Sequence, residues 1–514
     1  MVCSVDHLAS EAGVHVLRCG GSAADAAIAA NAVLAVTTQH MCGLGGDLFA
    51  LVHHADGSPP DCLDASGRAG SGADAAAMRA EGLVRMPLDE DIRSVTVPGC
   101  VDGWIALHER HGRMPLIDVL EPARDLAEHG FPASPLLASR VGAIAHVIGA
   151  DDYTRQPIRA GTTVTRPGVA RALAAIAAGG RDAFYLGEFG DGLRRLGSGL
   201  YSHDDLATPQ ARWVDPLGID VWGHRVWTVP PTSQGYLSLA AARIAELAGG
   251  ALGTAPHPDS AEWAHLLVEA ARLAGYDRPD VLFDGADGPA LLDHERLAAR
   301  AAAFDPAGAA AVPVHAAPGG TIYLCAVDDE GMAVSLIQSN ARGWGAHLAV
   351  PEVGIFVHNR GLGFSLEEGH PAELAPARRP PHTLAPALVQ GADGAFRAAL
   401  GTMGGDTQPQ VVLQMLARLL VAGQSPARIT AAPRWRLGDG GFDTWDVPGA
   451  ASVAVESRAP AEWIEGLRGR GHVVEVAGAW DSGFGHAHLI ERTGDGTLAG
   501  AHDPRALTGG SATW

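Results

Sequence analysis

The apolar positions of this chain fall into two kinds of run. Short unbroken runs bounded by Gly, Asp and Pro read as buried strands, and longer Ala-rich runs read as helices. A first helix from Asp6 to Arg18 closes on Gly20-Gly21. Ser22-Ala23-Ala24-Asp25 is a capping-box variant with Asp in place of Glu, and the helix it opens runs to Val36. That helix is apolar on most sides, interrupted by Asp25 and Asn31, so it belongs inside a large core. Gly43-Leu44-Gly45-Gly46-Asp47 leads into a strand from Leu48 to His53, and a second strand starts at Cys62. From Trp104 to about Gly250 the pattern reads as helical with Pro and Gly breaks. It includes the loop Val229-Pro230-Pro231-Thr232-Ser233-Gln234-Gly235 ahead of a helix from Tyr236 to Ala248. A further helical stretch runs from Pro256 to Pro318, and Ala307 to Gly320 has the composition of a linker or exposed loop.

Next comes the densest apolar pair in the chain. Gly319-Gly320 leads into Thr321-Ile322-Tyr323-Leu324-Cys325-Ala326-Val327, then the turn Asp328-Asp329-Glu330-Gly331, then Met332 to Ser339. Neither arm alternates with polar residues, so the pair predicts a β-hairpin buried on both faces. Beyond it the pattern predicts strands at Val353 to Asn359, Thr383 to Val389 and Phe396 to Leu400, then Gly401-Thr402-Met403-Gly404-Gly405-Asp406 opening a helix from Val411 to Ala422. The end of the chain reads strand (Ala451 to Glu456), helix (Ala461 to Arg468), strand (His472 to Val476) and a last strand through His488 to Ile490.

Composition narrows the function. The 514 residues carry 37 basic and 58 acidic side chains, a formal charge of −21, which argues against nucleic-acid binding through a general basic surface. No apolar run reaches the roughly 18 residues of a membrane-spanning helix, and Met1 to His7 lacks the basic and apolar regions of a signal peptide. Six scattered cysteines without a CxxC pair read as free thiols in a reducing, cytoplasmic setting. The 23 histidines contain no HExxH; His53-His54 and the pair His486 and His488 are the local clusters, and no metal or other cofactor is expected.

Two glycine stretches bear on chemistry. At 43–47 the glycines follow a helix and precede a strand, the reverse of a phosphate cradle, so a tight backbone turn is expected. At 401–406 they follow a strand and open a helix, where backbone N–H groups can face an anion. Thr321 is compatible with an ordinary strand residue or with a nucleophile that becomes a new N-terminus, and the hairpin by itself does not decide.

Several separated stretches together resemble the γ-glutamyltranspeptidases, a branch of the N-terminal-nucleophile hydrolases. They are SEAGVHVLRCGGSAADAAIAANAVLAV, GLGGD, VPG near residue 98, GTIYLCAVDDEGMAVSLIQSN, VGIFVHNRG and GTMGGD, in the family's order over roughly residues 5 to 510. Ser339-Asn340 and Arg379-Pro380-Pro381-His382-Thr383 bring the chain nearest the cytosolic acylase-like branch. The resemblance implies an α/β fold of the four-layer αββα kind. It also implies self-cleavage between Gly320 and Thr321 into segments 1–320 and 321–514 that share one core. Thr321 would then be nucleophile and, through its new amine, base; Ser339 would support it, and Gly404 and Gly405 would form the oxyanion hole.

The substrate pocket departs from the family pattern. The acidic residue that holds a glutamyl α-amine falls at Gly363, the Gln of some members is Arg360, and the paired serines are His382 and Thr383. The family's carboxylate-clamping arginine falls at about Ser66, with Arg68 two positions along. Arg68, Asn340, Arg360, His382 and Thr383 are thus the expected substrate contacts, and the expected partner is a small-molecule or peptide amide bearing a carboxylate. Two alternatives stand beside this reading: a true γ-glutamyltranspeptidase or glutathione hydrolase, and an unprocessed, inactive binding or scaffold protein.

Overall fold

Alternation along the central hairpin sets the layers of the fold. The computed structural model describes residues 1–252, 255–310, 320–438 and 452–514. Within the strand Gly320–Val327, Ile322, Leu324 and Ala326 join one apolar cluster, while Tyr323, Cys325 and Val327 join another. In the paired strand Ala333–Ala341, Val334 and Leu336 go with the first set, and Ala333 and Ile337 with the second. Successive side chains of a strand point to opposite faces, so the hairpin separates two cores.

The hairpin lies in a seven-stranded sheet, flanked on one side by Val2–Ser4 and Gly510–Ala512. On the other side lie Asp47–His53, Asp61–Ala65 and Arg212–Val214. A six-stranded sheet contains Leu217–Val221, His224–Thr228, Ala387–Gln390, Phe396–Thr402, Ala487–Arg492 and Leu498–Ala501. Between them lie Phe49, Leu51, Tyr323, Cys325 and Ile337 of the first sheet against Leu388, Phe396, Ala399 and Ile490 of the second. Ser335 bridges the sheets by donating to the Ala387 carbonyl at 2.9 Å. The outer face of the first sheet packs on helices that include His7–Arg18 and Ala23–Thr37. That of the second packs on Tyr236–Gly249, Ala261–Gly275 and Gln408–Leu420. Helix, sheet, sheet, helix is the expected four-layer order. Every residue of Ala23–Thr37 is buried, and the Ser22–Asp25 capping box is formed as the sequence predicts.

Residues before and after Gly320 supply neighbouring strands to both sheets. Among the described residues the six cysteines are free, and no helix is long and apolar enough to cross a membrane.

Four expectations need correction. The stretch from Trp104 to Gly250 is not helical throughout: it holds Arg212–Val214, Leu217–Val221 and His224–Thr228. Two of these are edge strands, whose outward positions are polar and break the apolar signal. The strand expected from Val353 to Asn359 shrinks to Ile355–Phe356, and the one from Thr383 starts only at Ala387. The helix placed at Trp104 begins at Cys100. Residues 311–319 of the linker-like stretch, and residue 451 of the expected strand Ala451 to Glu456, lie outside the described residues.

The glycines at 43–47 make a close backbone approach. A Cβ at Gly45 would sit 2.2 Å from the Phe356 carbonyl oxygen, and one at Gly46 2.4 Å from that of Ser339. Gly45→Ala is therefore expected to destabilise the protein by about 1–3 kcal/mol, the usual cost of overpacking. Gly142→Ala, where nothing lies within 4 Å, is expected to leave it unchanged. Thermal denaturation of the two variants checks this.

Candidate active site

Thr321 is the second residue of its strand, with the side chain on the inter-sheet face, the face of Tyr323 and Cys325. Its hydroxyl lies 3.0 Å from Ser339 Oγ, and both residues are buried. The register shifts between Gln338 and Ala341, and Ala341 takes a φ of 70°, uncommon for a residue other than glycine. That bend turns the Ala341 N–H onto Ser339 Oγ at 2.7 Å. The same shift pairs Ala341 with Gly320, the residue before Thr321.

Directly across from Ser339 on the neighbouring strand is Asp47. Its Oδ1 accepts from the N–H groups of Gly67 and Gly99, each at 3.1 Å. Both must be glycine, because a Cβ there would fall within 1.6 Å and 2.1 Å of the Val97 and Ala65 carbonyls. Asp47 Oδ2 lies 3.2 Å from His382 Nε2. Since His382 Nδ1 accepts from the Leu384 N–H, the hydrogen-bond pattern assigns the ring proton to Nε2, which donates to Asp47. His358 Nδ1 likewise accepts from the Arg360 N–H at 2.9 Å, and its Nε2 faces Asp47 Oδ1 at 3.8 Å. Burial holds both imidazoles neutral, pushing His358 down to about 3 and His382 well below its usual value. Burial also pushes the Asp47 carboxyl up to about 7, against the opposing pull of the Arg360 charge and the two glycine N–H groups.

Arg360 is the buried cation of the site. One Nη donates to Thr383 Oγ1 at 3.1 Å and the other reaches Ser339 Oγ at 3.5 Å. Among the described residues no carboxylate lies within 4 Å of its guanidinium. Burial lowers Arg360 to about 10, and Asp47 and Asp406 act from farther off to keep it charged. Arg360 and Thr383 line a cleft of about 860 Å³ with Arg278, Gly363 and Asp406. Within it Asp406 pairs with Arg278 at 3.4 Å. At Gly363 a Cβ would stand 2.3 Å from the Pro381 carbonyl oxygen, so the backbone leaves no room for an acidic side chain.

Gly404 and Gly405 follow the strand Phe396–Thr402 with φ of 135° and 57°, a turn for which glycine is suited. Among the described residues neither N–H is taken up by an acceptor. Gln234 holds this turn against the segment at Thr383, its Nε2 donating to the carbonyls of Gly405 and Thr383, each at 3.0 Å.

Thr321, Ser339, Arg360, His382 and Thr383 are thus linked through direct contacts and Asp47. Asn340 turns elsewhere, donating to the Gln39 carbonyl at 3.0 Å. Arg68 does not line the cleft; its guanidinium is held by Gln210 and the Pro209 carbonyl. Asp47, His358 and Gln234 are absent from the sequence-based set. The signal for Asp47 was an acid at the head of an otherwise apolar strand. Among the described residues two groups of side chains come close enough to share a metal ion, His54, Asp61 and His111, and His265, Glu269 and His472; neither includes a residue of this site.

A sequence profile of the family described as Gamma-glutamyltranspeptidase matches residues 9–513. The chain is 36% identical to the glutathione hydrolase-like YwrD proenzyme of Bacillus subtilis, covering 98% of this chain and 97% of that protein. It is 34% identical to the oxamate amidohydrolase proenzyme of Klebsiella pneumoniae, with the same coverage. Among solved structures, cephalosporin acylase from Bacillus halodurans superposes with a TM-score of 0.89 at 31% identity, covering 100% of this chain and 95% of that one.

Because the folded-state pKa of Asp47 lies above its unfolded value, its contribution to stability is fully present below about pH 4. It falls away as pH rises through about 7. Asp47→Asn is expected to flatten that fall, read as urea midpoints between pH 5 and pH 8. Equal slopes in both proteins would contradict the burial argument.

Proposed function

From the premise that the chain belongs to the γ-glutamyltranspeptidase family, we propose that it is an autoprocessing threonine amidohydrolase for small amides bearing a carboxylate. One observation carries the substrate class. Arg360 is a buried guanidinium whose neighbours are the hydroxyls of Thr383 and Ser339, with no carboxylate in reach among the described residues. An unpaired buried charge is costly, and a substrate carboxylate in the adjoining cleft removes that cost. The likeness to a protein named oxamate amidohydrolase agrees with this class, since oxamate is an amide carrying a carboxylate.

The chemistry starts within the chain. Thr321 Oγ attacks the Gly320 carbonyl, the peptide C–N bond breaks as the ester forms, and the nitrogen becomes the free amine of Thr321. Water then cleaves the ester, leaving a carboxylate on Gly320 and restoring the hydroxyl. The new amine, with a reference pKa of ~7.7–8.0, takes the hydroxyl proton in each turnover. Thr321 Oγ adds to the substrate carbonyl, and the oxyanion meets the unengaged N–H groups of Gly404 and Gly405. One such donor is typically worth ~2.7–4 kcal/mol of barrier. The departing amine takes the proton, leaving an acyl group on Thr321 Oγ that water, or an acceptor amine, removes. Ser339, fixed by the Ala341 N–H, orients the nucleophile.

The glutathione-hydrolase alternative needs a site for an α-ammonium. Gly363 offers no acid, and the Pro381 carbonyl at 2.3 Å from its Cβ position blocks one. A glutaryl anilide is therefore expected to exceed the γ-glutamyl anilide in kcat/KM; a strong preference for the γ-glutamyl compound would overturn the reading. Arg360→Gln is expected to raise KM for the glutaryl anilide tenfold or more, the loss of a charged hydrogen bond of ~1.5–3 kcal/mol. On a denaturing gel the protein is expected to run as two fragments and the Thr321→Ala variant as one. An intact wild-type chain that stays whole on long incubation would favour the scaffold alternative.

A further inference from the structure

A second cavity, of about 400 Å³, has walls that include Met41, Leu136, Arg140, Arg342, Trp344 and Met403. Two strands tie it to the nucleophile. Arg342 follows Ala341, the residue paired with Gly320, so this wall continues the strand that faces the scissile bond. Met403 immediately precedes Gly404 of the oxyanion turn. The first cleft, with Arg360 and Thr383, shares none of these residues. Each cavity therefore has wall residues joined to the surroundings of Thr321, Arg360 through its contact with Ser339 in the first and Arg342 and Met403 through the chain in the second.

The second cavity is built under strain. Ala341, Trp344 and His347 all take positive φ, at 70°, 61° and 53°, within one seven-residue stretch. Such backbone in bulky residues costs energy and gathers where function holds it. Trp344 is pinned by its indole N–H, which donates to the Arg140 carbonyl at 3.0 Å. His40, a further wall residue, is 4% exposed, and neither ring nitrogen has a hydrogen-bond partner among the described residues. Burial pushes it down to about 3, so it is neutral and offers one donor and one acceptor. Buried polar atoms of this kind ordinarily have partners. The charges around the cavity are mostly positive. Arg342 pairs with Asp89 at 3.2 Å, while Arg140 pairs with no carboxylate among the described residues. Ser482 Oγ is engaged by His486 at 2.8 Å.

We propose that this cavity receives the amine half of the substrate, and that this half is an apolar body carrying an anionic group. The apolar wall of Leu136, Met41, Met403 and Trp344 takes the body, Arg140 takes the charge, and His40 supplies a polar contact. This rests on the amidohydrolase reading above, in which the acyl half lies on the Arg360 side. The nucleophile then cuts at the junction of two subsites, each with its own cation.

Two measurements test it. Glutaryl amides of p-aminobenzoate, aniline and p-aminobenzylamine share one acyl group and differ in the charge of the amine half. The p-aminobenzoate amide is expected to lead the anilide by about tenfold in kcat/KM, a charged-contact difference, with the benzylamine amide last. That ranking is expected to collapse in Arg140→Glu. Equal rates for the three amides, or a ranking untouched by Arg140→Glu, would overturn the proposal. Calorimetric titration of the Thr321→Ala protein gives a readout that needs no turnover. Saturable binding of p-aminobenzoate, weakened by a further Arg140→Glu change, supports the subsite, and no difference between p-aminobenzoate and aniline overturns it. If p-aminobenzoate binds but none of the three amides is hydrolysed, the amidohydrolase reading fails and the subsite stands.

Discussion

The contact between the Thr321 and Ser339 hydroxyls, 3.0 Å apart, is where the fold and the proposed chemistry meet. It exists only in one register of the hairpin. A slip of one residue would send Thr321 to the helix side of the sheet with Ile322 and Leu324. The register is held by apolar packing on both faces, by the bend at Ala341, and by the Ser335 link to the second sheet. Large buried layers thus serve to hold two small polar groups on one face of one strand pair.

Burial then governs the electrostatics. Asp47, His358, His382 and Arg360 lie within a region almost free of solvent, so each is driven toward its neutral form. Arg360 resists most strongly, because a guanidinium holds its proton even when lowered to about 10. It remains a cation with hydroxyl neighbours, beside a cleft. His382 aims its N–H at Asp47, while His358 Nε2 is shared with Thr96 Oγ1 at 3.5 Å, so neither neutral ring brings a charge to that acid. The cleft therefore presents Arg360, with no carboxylate in reach among the described residues, beside the Asp406–Arg278 pair.

Much of this was legible in the sequence, for physical reasons. Buried strands such as Thr321 to Val327 and the all-apolar helix after Ser22 declare themselves, because burial on every side leaves an unbroken apolar run. Glycine pairs at 404–405 mark a turn that other residues resist. The edge strands at 212–214 and 217–221 were not legible, since their polar outward positions imitate loops. Arg68 and Arg360 could not be ranked by spacing alone: the fold turns the first to Gln210 and buries the second beside Ser339. Asp47 was hidden because its role depends on Gly67, Gly99 and His382, which only the packed sheets bring to it.

The central claim is that Thr321 carries the acyl group while Arg360 holds the carboxylate of the same substrate. Rapid quenching of the protein during turnover of a carboxylate-bearing amide, followed by intact-mass measurement of the smaller fragment, tests it most directly. The account predicts a mass increase equal to the acyl group, located to Thr321 by peptide mapping, with a population that falls in Arg360→Gln at fixed substrate concentration. Turnover with the fragment unmodified, or modified at a residue other than Thr321, would contradict it.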